Sequence, residues 1–249
     1  MNKPMMPATL RALETAEAGL FIAAEPPPAN LDSRFREFVD AAEFPCVGAK
    51  TALARDGIRT IELDALDNPN DDARLMARLE VFAREVESLP ADSLDVLSLV
   101  ALYRAPTVID ELQFERLLWK QLQRLHDLDV ARGVPWADDV SADPSDARFS
   151  MSLAGHPFFV IGLHPEASRL ARRFELPALV FNSHRQFDRL REDGRFLRIK
   201  RATRKRDRAL QGSINPNLAD YGKASEARQY SGRHVERRWK CPFQPRSPH

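Results

Sequence analysis

Apolar positions along the chain alternate between two periods. Asp32–Ala42 places Phe35, Phe38 and Val39 on one stripe and predicts a helix, with Asp32 or Ser33 as its cap. Ile58–Leu63 alternates and predicts a strand. Leu75, Leu79, Phe82 and Val86 predict a helix over residues 70–88. The Leu- and Val-rich run 94–103 predicts a central strand, and a long helix from Thr107 to about Val130 follows it. Two further runs, 149–155 and 157–163, predict a hairpin turning at Gly155-His156. Pro165 opens a short basic helix, 177–182 is another strand, and Ser183 caps a helix over 183–193. Interspersed strands and helices with a tight hairpin predict an α+β fold: a single domain with a mixed, mainly antiparallel sheet flanked by helices. Residues 1–31 read as a loosely ordered start, with a short amphipathic stretch ending at Pro26-Pro27-Pro28. The domain occupies 32–244, and 245–249 is a tail. The segment before that tail carries Tyr, Trp and Phe and is expected to wrap onto the core.

Composition narrows the function classes. A chain of 249 residues, 43% apolar, supports a full core. No apolar run reaches the roughly 20 residues of a membrane helix, and the N-terminus lacks a signal-peptide h-region. Two distant cysteines, Cys46 and Cys241, make no disulfide framework, so a reducing cytoplasm is expected. Nucleotide-cradle glycine motifs, zinc spacings and the GxSxG elbow are all missing. The acidic pairs Asp71-Asp72 and Asp138-Asp139 sit where helix starts and loops want them. The net charge of +1 conceals a division. Residues 148–249 hold 22 Lys and Arg against 9 Asp and Glu, a net of +13, and residues 1–147 carry −12. The densest run is Arg198, Lys200, Arg201, Arg204, Lys205, Arg206 and Arg208, which raises the alternative of a nucleic-acid-binding module over 198–208.

Two residues stand out as candidate ligands. Cys46 lies in Phe44-Pro45-Cys46-Val47-Gly48, where a turn can aim backbone N–H groups at the sulfur. Its Cys-Val-Gly-Ala string is similar to the ligand loop of heme-thiolate proteins. A small buried thiol is the plainer alternative. His164 ends a strand in Gly162-Leu163-His164-Pro165, a place where a fixed side chain meets a cleft. His156 and His184 have similar positions, in the hairpin turn and in a first helical turn. His126 sits on the long helix, and His234 and His249 lie near the C-terminus.

Several strings together resemble the YqcI/YcgG family: FPCVGAK, FSMSLAGHPFFVIGLHPEASRLARRF, PALVFNSHRQFDRL and INPNLADYGKASEARQYSGRHVERRWKCPF. The resemblance spans residues 32–244 and implies a b-type heme. It also implies N-hydroxylation of a guanidine or amine on a small molecule such as arginine, with dioxygen as co-substrate and electrons from a separate reductase. A heme-binding sensor or carrier without oxygenase activity is the alternative. His164 and Cys46 are the two candidate axial ligands; imidazole being the commoner ligand, His164 is placed first. Arg169, Arg172, Arg173, Arg185, Arg189, Arg228, Tyr230 and Arg233, with His184, are candidates for holding the cofactor and its propionates. Glu226 is the candidate anchor for a cationic substrate.

Overall fold

The computed structural model describes residues 30–90, 92–217 and 222–247. The amphipathic stretch before Pro26 lies outside them. Among the described residues, seven helices surround one five-stranded sheet: α1 (Leu31–Asp40), α2 (Val47–Ala54), α3 (Asp72–Glu87), α4 (Glu111–Ala131), α5 (His184–Glu192), α6 (Arg195–Gln211) and α7 (Ala227–Tyr230). The strands are β1 (Ile58–Ala65), β2 (Ser98–Ala105), β3 (Met151–Leu153), β4 (His156–Leu163) and β5 (Ala178–Ser183). Their order is β1-β2-β5-β4-β3, with β1 parallel to β2 and every other pair antiparallel. The expected mixed, mainly antiparallel α+β domain is what forms.

Strand parity divides the core in two. Leu99, Ala101, Tyr103, Phe158, Val160, Leu179 and Phe181 point to one face, under α3 and α4. Val100, Leu102, Ile161, Leu163, Ala178 and Val180 point to the other, under α1, α2 and α5. The aromatic C-terminal segment wraps onto the first face, as expected: Tyr230, Trp239 and Phe243 pack with Trp119 of α4.

Local chemistry moved several boundaries. Asn30, not Asp32 or Ser33, caps α1 by accepting from the Asp32 N–H at 2.8 Å. The long helix begins at Glu111 because the Asp110 carboxylate caps it, accepting from the Gln113 N–H at 2.7 Å. The hairpin turns at Ala154-Gly155, both at positive φ (54° and 68°), which suits the twist of a two-residue loop. The basic helix expected from Pro165 does not form. Only a 3-10 turn, Leu170–Arg172, appears, because the segment folds back on itself: the His164 N–H donates to the Arg172 carbonyl and Arg173 Nε to the Ala167 carbonyl.

Gly162 of β4 lets α4 approach the sheet. A Cβ there would lie 2.5 Å from Phe114 Cε1 and 3.0 Å from Leu118 Cδ1. Gly162→Ala is expected to cost about 1–3 kcal/mol through overpacking, measured by urea unfolding. Wild-type stability in the variant would mean that Phe114 moves freely.

Candidate functional site

A partly open cavity of about 250 Å³ lies on the second face of the sheet. Its floor is Val100, Ile161, Leu163 and Val180, its walls are Phe35 and Val39 of α1 and Phe187 of α5, and α6 closes one side with Thr203, Arg204 and Asp207. Cys46, Arg169 and Arg172 complete it. The lining is apolar apart from a few convergent polar groups, which is the usual character of a small-molecule site.

Cys46 is set by α2. That helix was not expected; its cap is a thiol rather than a hydroxyl or carboxylate, so the usual start signal is missing from the sequence. The sulfur accepts from the Ala49 N–H at 3.4 Å. The Val47 N–H, next in the first turn, is taken by Thr203 Oγ1 of α6 at 3.1 Å. Burial pushes the Cys46 thiol up, while the Ala49 and Gly48 N–H groups pull it down. The free protein therefore holds a thiol, with donors in place for the thiolate that a bound metal would produce.

His164 is on the opposite face. It follows Leu163 by one residue, and parity turns it towards α4, where its ring stacks on Phe114 with centroids 4.4 Å apart. It is fully buried, with the Ile109 backbone as the hydrogen-bonding group beside its ring. Burial holds it below the ordinary imidazole value, so it is a neutral ring in the core. One ligand in the cavity cannot meet both candidates. The reading that placed His164 first as axial ligand is corrected accordingly: Cys46 is the candidate on the cavity.

The cofactor-holding candidates divide in the same way. Arg169 lines the cavity, where it pairs with Asp207 of α6 at 2.5 Å and with Ser213. Arg172 lines it too. The remaining candidates are engaged elsewhere. Arg173 is tied to the Ala167 carbonyl, and Arg185 to Asp139 and Glu87 at 2.7 and 2.8 Å. His184 lies 3.1 Å from Asp188, and Arg189 borders a separate crevice beside Leu89 and Arg195. Arg228 donates to the Glu236 carbonyl and covers Trp239, and Arg233 pairs with Glu115. Tyr230 and Glu226 meet under the sheet's first face, 2.7 Å apart. Glu226 as a substrate anchor is therefore also corrected: it is a buried partner of Tyr230 and does not reach the cavity.

The sequence reading missed Thr203 and Asp207 and took Arg204 only as part of the basic run. Their spacing (i, i+1, i+4) marks one helical face, the inner one of α6. Arg198, Arg201, Lys205 and Arg208 occupy the exposed face of the same helix. Of the seven cations in the basic run, Arg204 lines the cavity and these four face solvent.

The sequence model of the YqcI/YcgG family matches residues 35–244. The chain belongs to the YqcI/YcgG family. The match takes in the whole sheet, Cys46 and every cavity-lining residue named above. No curated protein and no solved structure matches the chain. Among the described residues, no helix is long and apolar enough to cross a membrane, and no group of three His, Cys, Asp or Glu side chains is placed to hold a metal ion.

Proposed function

We propose that this YqcI/YcgG member is a heme-dependent N-oxygenase acting on a guanidine- or amine-bearing small molecule, with Cys46 as the axial ligand. The observation that carries the reading is the placement of Cys46. It is the candidate ligand that opens onto an apolar cavity, its sulfur already accepts a backbone N–H, and arginines lie along the same walls.

The residues present fit the group. A thiol offers the ligand, the walls of Phe35, Val39, Ile161 and Val180 exclude water from a macrocycle, and guanidinium groups suit propionates. The cavity volume is that of a small organic ligand, just under the roughly 300 Å³ at which such sites begin. Heme is larger than this volume, so binding it requires a wall of the cavity to move, and α6, which buries no residue completely, is the candidate wall.

When bound, heme supplies dioxygen activation, which a thiolate ligand promotes by donating electron density. The chain supplies the rest. The Cys46 sulfur would hold the iron, with the Ala49 and Gly48 N–H groups tempering its charge. The apolar lining keeps water from the reacting nitrogen, and Arg169 and Arg172 orient acidic groups. Insertion of one oxygen atom at N–H consumes dioxygen, two electrons and two protons and releases water. The electrons come from a separate reductase.

The test is reconstitution with hemin. Wild type and His164→Ala are expected to develop a Soret band with a thiolate-type ferrous–CO spectrum, and Cys46→Ala is expected to lose that signature. A colourless wild-type protein, or a Cys46→Ala variant with an unchanged spectrum, would refute the assignment. Turnover of arginine-type compounds with a reductase, read as a mass gain of one oxygen, separates an oxygenase from a heme sensor or carrier.

A further inference from the structure

The charges along the cavity do not balance. Arg169 is neutralised by Asp207 and held further by Ser213. Arg172 has no carboxylate of its own: Asp207, already paired with Arg169, acts on it only from a distance. Its Nη1 donates to two backbone carbonyls, Gly162 at 3.2 Å and Tyr230 at 3.0 Å, and no carboxylate among the described residues contacts it. The side chain is half-buried, and desolvation lowers its guanidinium to about 10, which still leaves it charged at neutral pH. A cation in such an apolar surround is ordinarily matched by an anion.

Arg172 is also held firmly in position. A Cβ on Gly232 would sit 2.7 Å from Arg172 Cδ, so the glycine lets the backbone of the Ser225–Arg233 string close over the arginine stem. Gly232 has φ of 85°, which independently favours glycine. β4, through Gly162, and α7, through Tyr230, grip one nitrogen of the fork. This gives the SEARQYSGR string a physical role. It does not reach the cavity itself but fixes the arginine that does.

We infer that Arg172 is the anion-binding group of the cavity and that the ligand placed there carries a carboxylate. The inference deepens the reading above, because it takes the cavity as the ligand site. Such a carboxylate has two sources, a heme propionate or the α-carboxylate of an amino-acid substrate. An arginine fork held by backbone on one side leaves its other N–H groups to face the ligand, the arrangement that favours bidentate carboxylate recognition.

The experiment compares ligands with and without the carboxylate, on wild type and on Arg172→Met and Arg172→Lys. One pair is L-arginine and agmatine, followed by calorimetry. The other is hemin and hemin dimethyl ester, followed by absorbance. Wild type is expected to prefer the carboxylate member of at least one pair by about tenfold or more. Arg172→Met should abolish that preference by lowering affinity for the carboxylate member far more than for the carboxylate-free one, and Arg172→Lys should restore part of it. Preference in the hemin pair assigns the propionate, and preference in the arginine pair assigns the substrate. A merely structural Arg172 would weaken both members of a pair equally, and that result overturns the inference, as does a wild type that discriminates in neither pair. Failure of the heme reading is separable: protein that shows no hemin spectrum yet prefers arginine to agmatine through Arg172 retains the carboxylate site.

Discussion

Glu226→Gln is expected to remove a fall in stability that the wild type shows between pH 4.5 and about 7. Burial raises this carboxyl from 4.5 to about 7. Hydrogen bonds from Tyr230 and Ser150 oppose this shift without cancelling it. Tyr230 Oη accepts from the Met151 N–H at 3.1 Å and donates to Glu226 Oε1 at 2.7 Å. In that pH range the folded chain binds more protons than the unfolded chain, so stability is fully present below pH 4.5 and is lost as pH rises through about 7. The loss amounts to about 3 kcal/mol at 1.36 kcal/mol per pH unit. Gln keeps an acceptor for the Tyr230 hydroxyl and never ionises, so the variant should match wild type in mild acid and exceed it by about that amount in mild alkali. His126, His156 and His164, all held below the ordinary value by burial, lose stability as pH falls and act in the opposite direction. The difference between wild type and variant across a pH series of chemical melts therefore isolates Glu226. Parallel curves would show that Glu226 is ionised in the folded state.

That result bears on how much of the protein could be read from its sequence. Period-2 and period-3.6 patterns located all five strands and the helices α1, α3, α4 and α5, because each buries a continuous apolar face. The failures share a cause: a local polar interaction decided the outcome. A thiol cap hid α2, and backbone bonds from His164 and Arg173 replaced a helix with a 3-10 turn. Cys46, Arg169 and Arg172, which line the cavity, stood out in the sequence because the family-like strings carry them. His164 was misplaced because a residue at a strand's end belongs to whichever face parity assigns, and nothing along one strand says which face carries the cavity. The motif residues Arg228, Tyr230 and Arg233 drew attention for binding but act as supports. A distinctive string marks residues that are constrained, and constraint from packing looks the same in one sequence as constraint from a ligand.

Removing Glu115 should test how far that support extends. Glu115 on α4 is buried on the face opposite the cavity, where its carboxylate pairs with Arg233 Nε and accepts from Trp239 Nε1 at 2.6 Å. Both side chains of the ion pair are nearly inaccessible, 8% for Glu115 and 11% for Arg233. Glu115→Ala leaves a guanidinium and an indole N–H without that partner, and breaking a buried pair from one side costs about 3–5 kcal/mol. Glu236, 2.9 Å from Arg233 on the solvent side, offsets a small part of this, because an exposed pair contributes little. The loss should be local before it is global, with amide exchange over 228–243 accelerating more than in β2 or β5. Glu115→Gln, which still accepts from Trp239, should fall between wild type and alanine. Arg172 depends on the Tyr230 carbonyl and on Gly232. Loosening that segment should therefore also erode any carboxylate preference in the cavity, although Glu115 lies on the other side of the sheet. An alanine variant within about 1 kcal/mol of wild type, with unchanged exchange in 228–243, would mean that the C-terminal segment is held by its aromatic packing on Trp119 and not by this pair.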